Sequence, residues 1–301
     1  MGLKILKGNR VIVMFILLIL SSLHFNNAYG QSDSLQKVLD KAGSDTAKVR
    51  ILILAAQKES TTDPERVAEY ASMALNLSRK INYPLGIGKS YYWMGCAAYT
   101  NQTLDKSHNY FLKAATIFDS LHDYKMLARA NKGIGNVMEV EHGYKNAVEY
   151  YNKAKAGFMS IKDTTQAIYT DVAIVGDLAA MNLLDSSIKY SLHTVLPIAR
   201  KYKNDVIISQ LLTNIGIAYS ASGNDKKALE YQLEALPYFE KANNVSNFAI
   251  AYQGISETYF GLKDIKNAEK YALLSDSLYG KIKSVRGTAD MSAPFRVIIN
   301  T

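Results

Sequence analysis

The chain has 301 residues, 48% of them hydrophobic, which excludes a disordered polymer and predicts a sizeable buried core. Its formal charge of +8 is mild, and five prolines beside abundant alanine, leucine, tyrosine, lysine and isoleucine favour long helices over strands and turns. Cys96 is the single cysteine, so an intramolecular disulfide is excluded and a redox role disfavoured.

The first predicted element is a signal peptide over residues 1–30. Lys4, Lys7 and Arg10 precede the apolar run VIVMFILLIL, and Ala28 and Gly30 are the small residues expected just before a cut. Even extended to Leu23 the run is 13 residues long, short of the roughly 20 that span a bilayer. No cysteine follows it to carry a lipid. Cleavage lowers the net charge from +8 to +5, leaves no stable membrane span and places the protein in the periplasm or outside the cell. A nucleic-acid partner is not expected there; the mild positive surplus suits acidic partners, envelope polymers or solubility.

Residues 31–48 read as a lead-in helix, and from 49 the chain repeats. Tyr70, Tyr110, Tyr150, Tyr190, Tyr231 and Tyr271 follow one another at 40, 40, 40, 41 and 40 residues. A large apolar column, Leu54, Met94, Ile134, Ile174, Ile215 and Ile255, keeps step, followed at once by Ala55, Gly95, Gly135, Val175, Gly216 and Ser256. Three residues before each tyrosine stand Val67, Ser107, Ala147, Ser187, Ala228 and Ala268; four after it stand Ala74, Ala114, Ala154, Thr194, Ala235 and Ser275. Apolar residues at three and four spacing, such as Leu211, Leu212, Ile215 and Tyr219, predict a helix in the first half of each unit, and Ala228, Leu229, Gln232, Leu233 and Leu236 one in the second. Small columns mark close backbone approach. DPE at Asp63–Glu65 is an N-cap followed by proline in the first turn, and HGY from His142 and SGND from Ser222 break between helices. Six two-helix units over 49–284 are expected, then an irregular tail over 285–301.

Catalytic motifs are missing. GIGKS at Gly86–Ser90 ends like a phosphate-binding loop, but Tyr83 stands where its first glycine is needed, so the two glycines are expected to open a helix after Pro84. His24, His108, His122, His142 and His193 show no metal-ligand spacing, no serine sits in GxSxG, and Glu139 with Glu141 reads as a solvated helix end. No enzyme, metal or cofactor is expected.

The stretch GNVMEVEHGYKNAVEYYNKA, Gly135–Ala154, resembles a tetratricopeptide repeat: Gly135, Ala147, Tyr151 and Ala154 match the family's small, alanine, aromatic and alanine positions, with Met138 replacing its first aromatic. The fourth unit departs from the pattern, since Val175 and Ser187 stand for glycine and alanine. The resemblance covers roughly Val49–Lys283 and implies an all-α solenoid of about six units, with helices longer than the usual 34-residue repeat allows. It makes Tyr151 the buried knob and the Tyr150 column a ladder packed between units, with an aromatic ligand row as the alternative. It also implies a concave groove lined by first helices, which places Lys89, Tyr92, Cys96 and Tyr99 in one unit, Arg129, Lys132, Asn136 and Glu139 in the next, and Gln210, Thr213, Gln253 and Glu257 later. Cys96 is expected as a small, partly buried wall residue. Lys132 and Asn136 are similar to part of a carboxylate clamp for a peptide C-terminus, although the following unit does not supply the remainder.

The signal peptide, the DTAKVRILILA entry at Asp45–Ala55 and the phrase LSDSLY resemble the exported sensory half of certain bacterial sensor histidine kinases. After Gly287 the sequence shows no apolar span, phospho-accepting histidine motif or ATP-binding glycines. The expectation is therefore an exported, non-enzymatic scaffold that binds a peptide or protein segment. The alternative is a kinase sensor without its membrane helix and kinase half.

Overall fold

A computed structural model describes residues 35–242 and 245–286, so the signal peptide and nearly all of the tail lie outside the described residues. The chain divides into two compact units, one up to Thr103 and one from Leu104.

In the first unit a short helix over residues 35–40 precedes α1 (Asp45–Glu59), α2 (Pro64–Lys80) and α3 (Pro84–Thr100). The expected lead-in helix is not continuous: the chain breaks at residues 41–44 because Ser44, extended at φ −156°, accepts the amide of Ala47 and starts α1 anew. Leu39 nonetheless packs with Val49, Leu52, Ile53 and Ala74 in one apolar cluster. As expected, Asp63 caps α2 by accepting from the Arg66 amide, with Pro64 in the first turn, and Gly86 and Gly88 sit inside α3.

The second unit holds α4 (Leu104–Ser120), α5 (Tyr124–Val140), α6 (Tyr144–Ser160), α7 (Thr164–Ala180), α8, α9 (Asp205–Ala221), α10 (Asp225–Ala242), α11 (Val245–Gly261) and α12 (Ile265–Arg286). α8 is a continuous rod made of Leu184–Tyr190, a π-helical Ser191–Val195 and Leu196–Lys201. No strand occurs among the described residues.

The period follows from one turn used again and again. A 17-residue helix is closed by three residues, of which the middle one is left-handed: Asn82, Gln102, His122, His142, Lys162, Asn182, Lys203 and Lys263 have φ between 50° and 61°, and Gly223 has 80°. The next amide reaches back to the carbonyl five residues earlier, as from Gly143 to Met138 and from Asp163 to Phe158, closing the last turn of the helix. Asp123, Asp163, Asn204, Asn224 and Asp264 then cap the following helix with a side-chain oxygen. Two helices with two such turns make 40 residues. The 41-residue interval between Tyr190 and Tyr231 is α8, where the extra residue is absorbed as a π turn, with the Leu196 amide bonded to the Ser191 carbonyl. Pro197 directly follows and has no N–H to offer the carbonyl of His193.

The small columns are buried, as their sizes predicted. Ala147, Ser187, Ala228 and Ala268 are at most 1% exposed, and so are Ala114, Ala154, Ala235 and Ser275. Tyr151 is fully buried, and a Cβ built on Gly135 would stand 2.6 Å from its ring. Gly216 meets Gln232 at the same distance. In the fourth repeat the sizes are exchanged: Val175 occupies the glycine position, Ser191 the knob position, and both are fully buried. Ser187 donates to the Val175 carbonyl at 2.9 Å and Ser191 to the Ser187 carbonyl, so the serines satisfy themselves on backbone. The fourth repeat is thus a size-inverted version of the third, held in the same register.

A groove stripe on α5 and a buried polar network

Lys132, Asn136 and Glu139 recur at spacings of four and three on α5 and so share one stripe of the helix, with Arg129 one turn earlier. The next helices bring further polar groups to that stripe. The Tyr151 hydroxyl rises from α6 to within 2.6 Å of Glu139 Oε2 and 2.9 Å of Asn136 Oδ1. A phenol has one proton, and the shorter contact, made to a carboxylate, takes it. The Asn136 amide oxygen is the more distant acceptor of the same phenol, and the Asn136 N–H groups are left for another partner.

Lys132 stands half-buried with its Nζ 5.9 Å from the centre of the Tyr169 ring, which α7 supplies. It makes no ion pair among the described residues. Burial pulls its ammonium below the usual lysine pKa, and no carboxylate opposes that shift. The cation is therefore desolvated and uncompensated.

Asp177 on α7 is fully buried, and neither carboxylate oxygen has a hydrogen-bond partner. Burial, followed by the nearby negative charge of Glu139, pushes its pKa up to about 7. Near neutral pH it is therefore partly protonated inside a helical core.

Elsewhere on α6 and α7 the polar groups are paired. Lys155 of α6 bonds Asp171 Oδ1 of α7 at 2.7 Å, while the Tyr190 hydroxyl of α8 donates to the same oxygen at 2.5 Å and accepts from Lys155 at 2.7 Å. Lys155 keeps a raised pKa because these bonds, together with the attraction of Asp171, outweigh its desolvation. The ladder tyrosine Tyr190 thus ends in an ionic network joining three helices. Elsewhere the ladder packs ring on ring, with Tyr219 stacked on Tyr231 at 5.5 Å and Tyr259 on Tyr271 at 5.6 Å.

The remaining expected groove residues are dispersed. Gln253 donates to Glu257 at 2.9 Å on α11, so these two satisfy each other. Gln210 is half-buried on α9, and Lys89, Tyr92, Cys96 and Tyr99, also half-buried, share a stripe of α3 in the first unit. Tyr169, Asp171, Asp177 and the hydroxyls of Tyr151 and Tyr190 were not anticipated. Two aspartates inside the otherwise apolar TTQAIYTDVAIVGDLAA were the available signal. Among the described residues no group of three or more His, Cys, Asp or Glu is placed to hold a metal, and no helix is long and apolar enough to cross a membrane.

No family model matches the chain, and no curated protein matches it in sequence. Solved structures do match in fold. The apo form of RapI superposes with TM-score 0.70 at 16% identity, over 93% of this chain and 80% of that one. NprR in complex with its cognate peptide NprX gives TM-score 0.59 at 16% identity, over 96% and 87%. A signal-transduction ATPase from Pyrococcus horikoshii with a tetratricopeptide repeat sensor gives 0.68 at 14% identity, over 83% of this chain and 40% of that one. The fold is that of the tetratricopeptide-type helical-repeat proteins, as the repeat pattern predicted.

Proposed function

We propose that the protein is an exported, non-enzymatic scaffold that binds a peptide or protein segment along the stripes of its first helices, with an acidic group of that segment held by Lys132 and the Asn136 amide. The observation that carries this reading is the half-buried ammonium of Lys132, which faces an aromatic ring and no carboxylate. A desolvated cation without a partner costs free energy, and an anionic ligand offsets that cost. The spare Asn136 N–H one turn away supplies a directed donor beside it. NprR, of like fold, is described in complex with a peptide, which makes a peptide the natural class of ligand. Arg129 and Glu139 flank the anchor, and Gln210, Gln253 and Glu257 are further contact positions in the second unit; Lys89, Tyr92 and Tyr99 on α3 are the contact positions of the first unit, taken by itself.

Peptides selected by display against the purified protein test the reading. Those peptides should carry an acidic residue or a required C-terminal carboxylate, and Lys132→Gln should weaken them about tenfold while leaving the helical content unchanged. Selected peptides that bind Lys132→Gln/Asn136→Ala as tightly as the native protein would sink it. Fusing residues 1–30 to a reporter tests export separately.

A sensory role as part of a signalling chain is the alternative, favoured by the likeness in fold to the repeat sensor of the signal-transduction ATPase. It uses the same groove and adds a downstream output.

A further inference from the structure

A cleft of about 500 Å³ opens between α6 and α8 over α7, within the range of roughly 300–1,000 Å³ typical of small-molecule sites. Val148, Ile174 and Leu178 give it an apolar floor, and Lys189, His193 and Thr194 line its α8 side. On α7, at about 100° per residue, Ile174 and Leu178 stand roughly 140° to 180° round the helix from Tyr169, the ring that faces Lys132. The cleft is therefore on a different face from the peptide stripe.

An independent feature coincides with it. The column four residues after the ladder tyrosine is fully buried at Ala74, Ala114, Ala154, Ala235 and Ser275. At Thr194 it is not: the π turn of α8 rotates Thr194 out into the cleft, and Val195 takes the buried place at 0% exposure. A π turn sacrifices helix regularity, and such bulges concentrate at functional sites. Here it falls in the one repeat with an added residue, and both His193 and Thr194 of that turn line the cleft.

The charge in the cleft selects the class of ligand. Lys189 is the one lysine or arginine lining it, and no lining residue is acidic. Lys189, His193 and Thr194 make no side-chain hydrogen bond or ion pair among the described residues. We infer that this cleft binds a small anionic amphiphile, its apolar body on Val148, Ile174 and Leu178 and its acid group on Lys189 and the Thr194 hydroxyl.

Fluorescence titration with anilinonaphthalene sulfonate, run beside phenylnaphthylamine, which has the same rings without the acid, tests this on the full chain. The sulfonated probe should saturate one site. Lys189→Gln should weaken it about twofold to fivefold and leave the uncharged probe unchanged, whereas Ser186→Trp, an exposed lining position, should fill the cleft and expel both. Lys132→Gln should affect neither, so failure of the peptide groove and failure of this cleft read out separately. No saturable binding, equal loss of both probes in Lys189→Gln, or full binding retained in Ser186→Trp would each overturn the inference.

Discussion

The third and fourth repeats solve the same packing problem with opposite residues. In the third, Gly135 gives way to the whole ring of Tyr151; in the fourth, Val175 fills the space and Ser191 gives way. Each pair is separated by 16 residues, as is Gly216 with Gln232; Ser256 with Ala272, at the same spacing, is small on both sides and does not follow the exchange. In the fourth repeat, what departs from the family pattern is the third repeat's large and small residues exchanged between the two columns. The inverted repeat is also the one that receives the buried carboxylates, the π turn and the cleft.

The comparison breaks most sharply at the knob. Tyr151→Ser alone should cost about 3–5 kcal/mol, because it leaves a cavity and strips the hydrogen bond from Glu139. Adding Gly135→Val, which rebuilds the fourth repeat's solution in the third, should recover at least about 1 kcal/mol of that loss, although Gly135→Val by itself destabilises. Denaturant midpoints of the four proteins measure the coupling. Additive effects would mean that the two positions do not share one volume.

A second test separates the repeats by pH. Asp177 has a folded pKa of about 7 against roughly 3.9 in an unfolded chain, so the folded state holds its proton over that interval while the unfolded state has lost it. The folded state then binds more protons, and the contribution of Asp177 to stability falls as pH rises from about 4 to about 7 and levels off above. Asp177→Asn, which cannot ionise, should gain on the native protein across that window by less than about 1.4 kcal/mol per pH unit. Parallel pH profiles of melting temperature for the two proteins would count against the assignment.

The smallest effect belongs to the turns. Lys162 holds φ at 60°, a conformation that costs an L-residue roughly 1 kcal/mol or more. Lys162→Gly should therefore stabilise slightly, by under about 1 kcal/mol after the greater entropy of an unfolded glycine is counted. A lower melting temperature in the variant would show that the lysine side chain contributes more than the strain removes.

The repeat architecture was legible in the sequence because it is periodic, and the single 41-residue step marked the π turn without revealing its form; the first unit slips, with Leu54 62% exposed while Ile53 and Ala56 are buried, because four residues rather than three separate α1 from α2. The polar stripe of α5 was legible because a single helix carries it, which is why Lys132, Asn136 and Glu139 could be read as sharing one face. Their partners were not, since Tyr151, Tyr169 and Asp177 come from the two helices that follow, and helical periodicity within one element says nothing of what the next brings opposite. Glu139 is exposed, as a solvated helix end should be, and its carboxylate still accepts the buried Tyr151 phenol, a contact that one helix's periodicity could not show.

The three-residue turn also has a kinetic consequence. Because every closure in the second unit joins helices adjacent in the chain, the segment that must be ordered before neighbouring helices touch is about one helix long, and the entropy lost in bringing them together is small. Chains rich in such local closures order quickly, and in repeat proteins ordering can begin at any pair and spread to the next. A long polypeptide built in this way needs no distant residue to arrive before its first helices are stable.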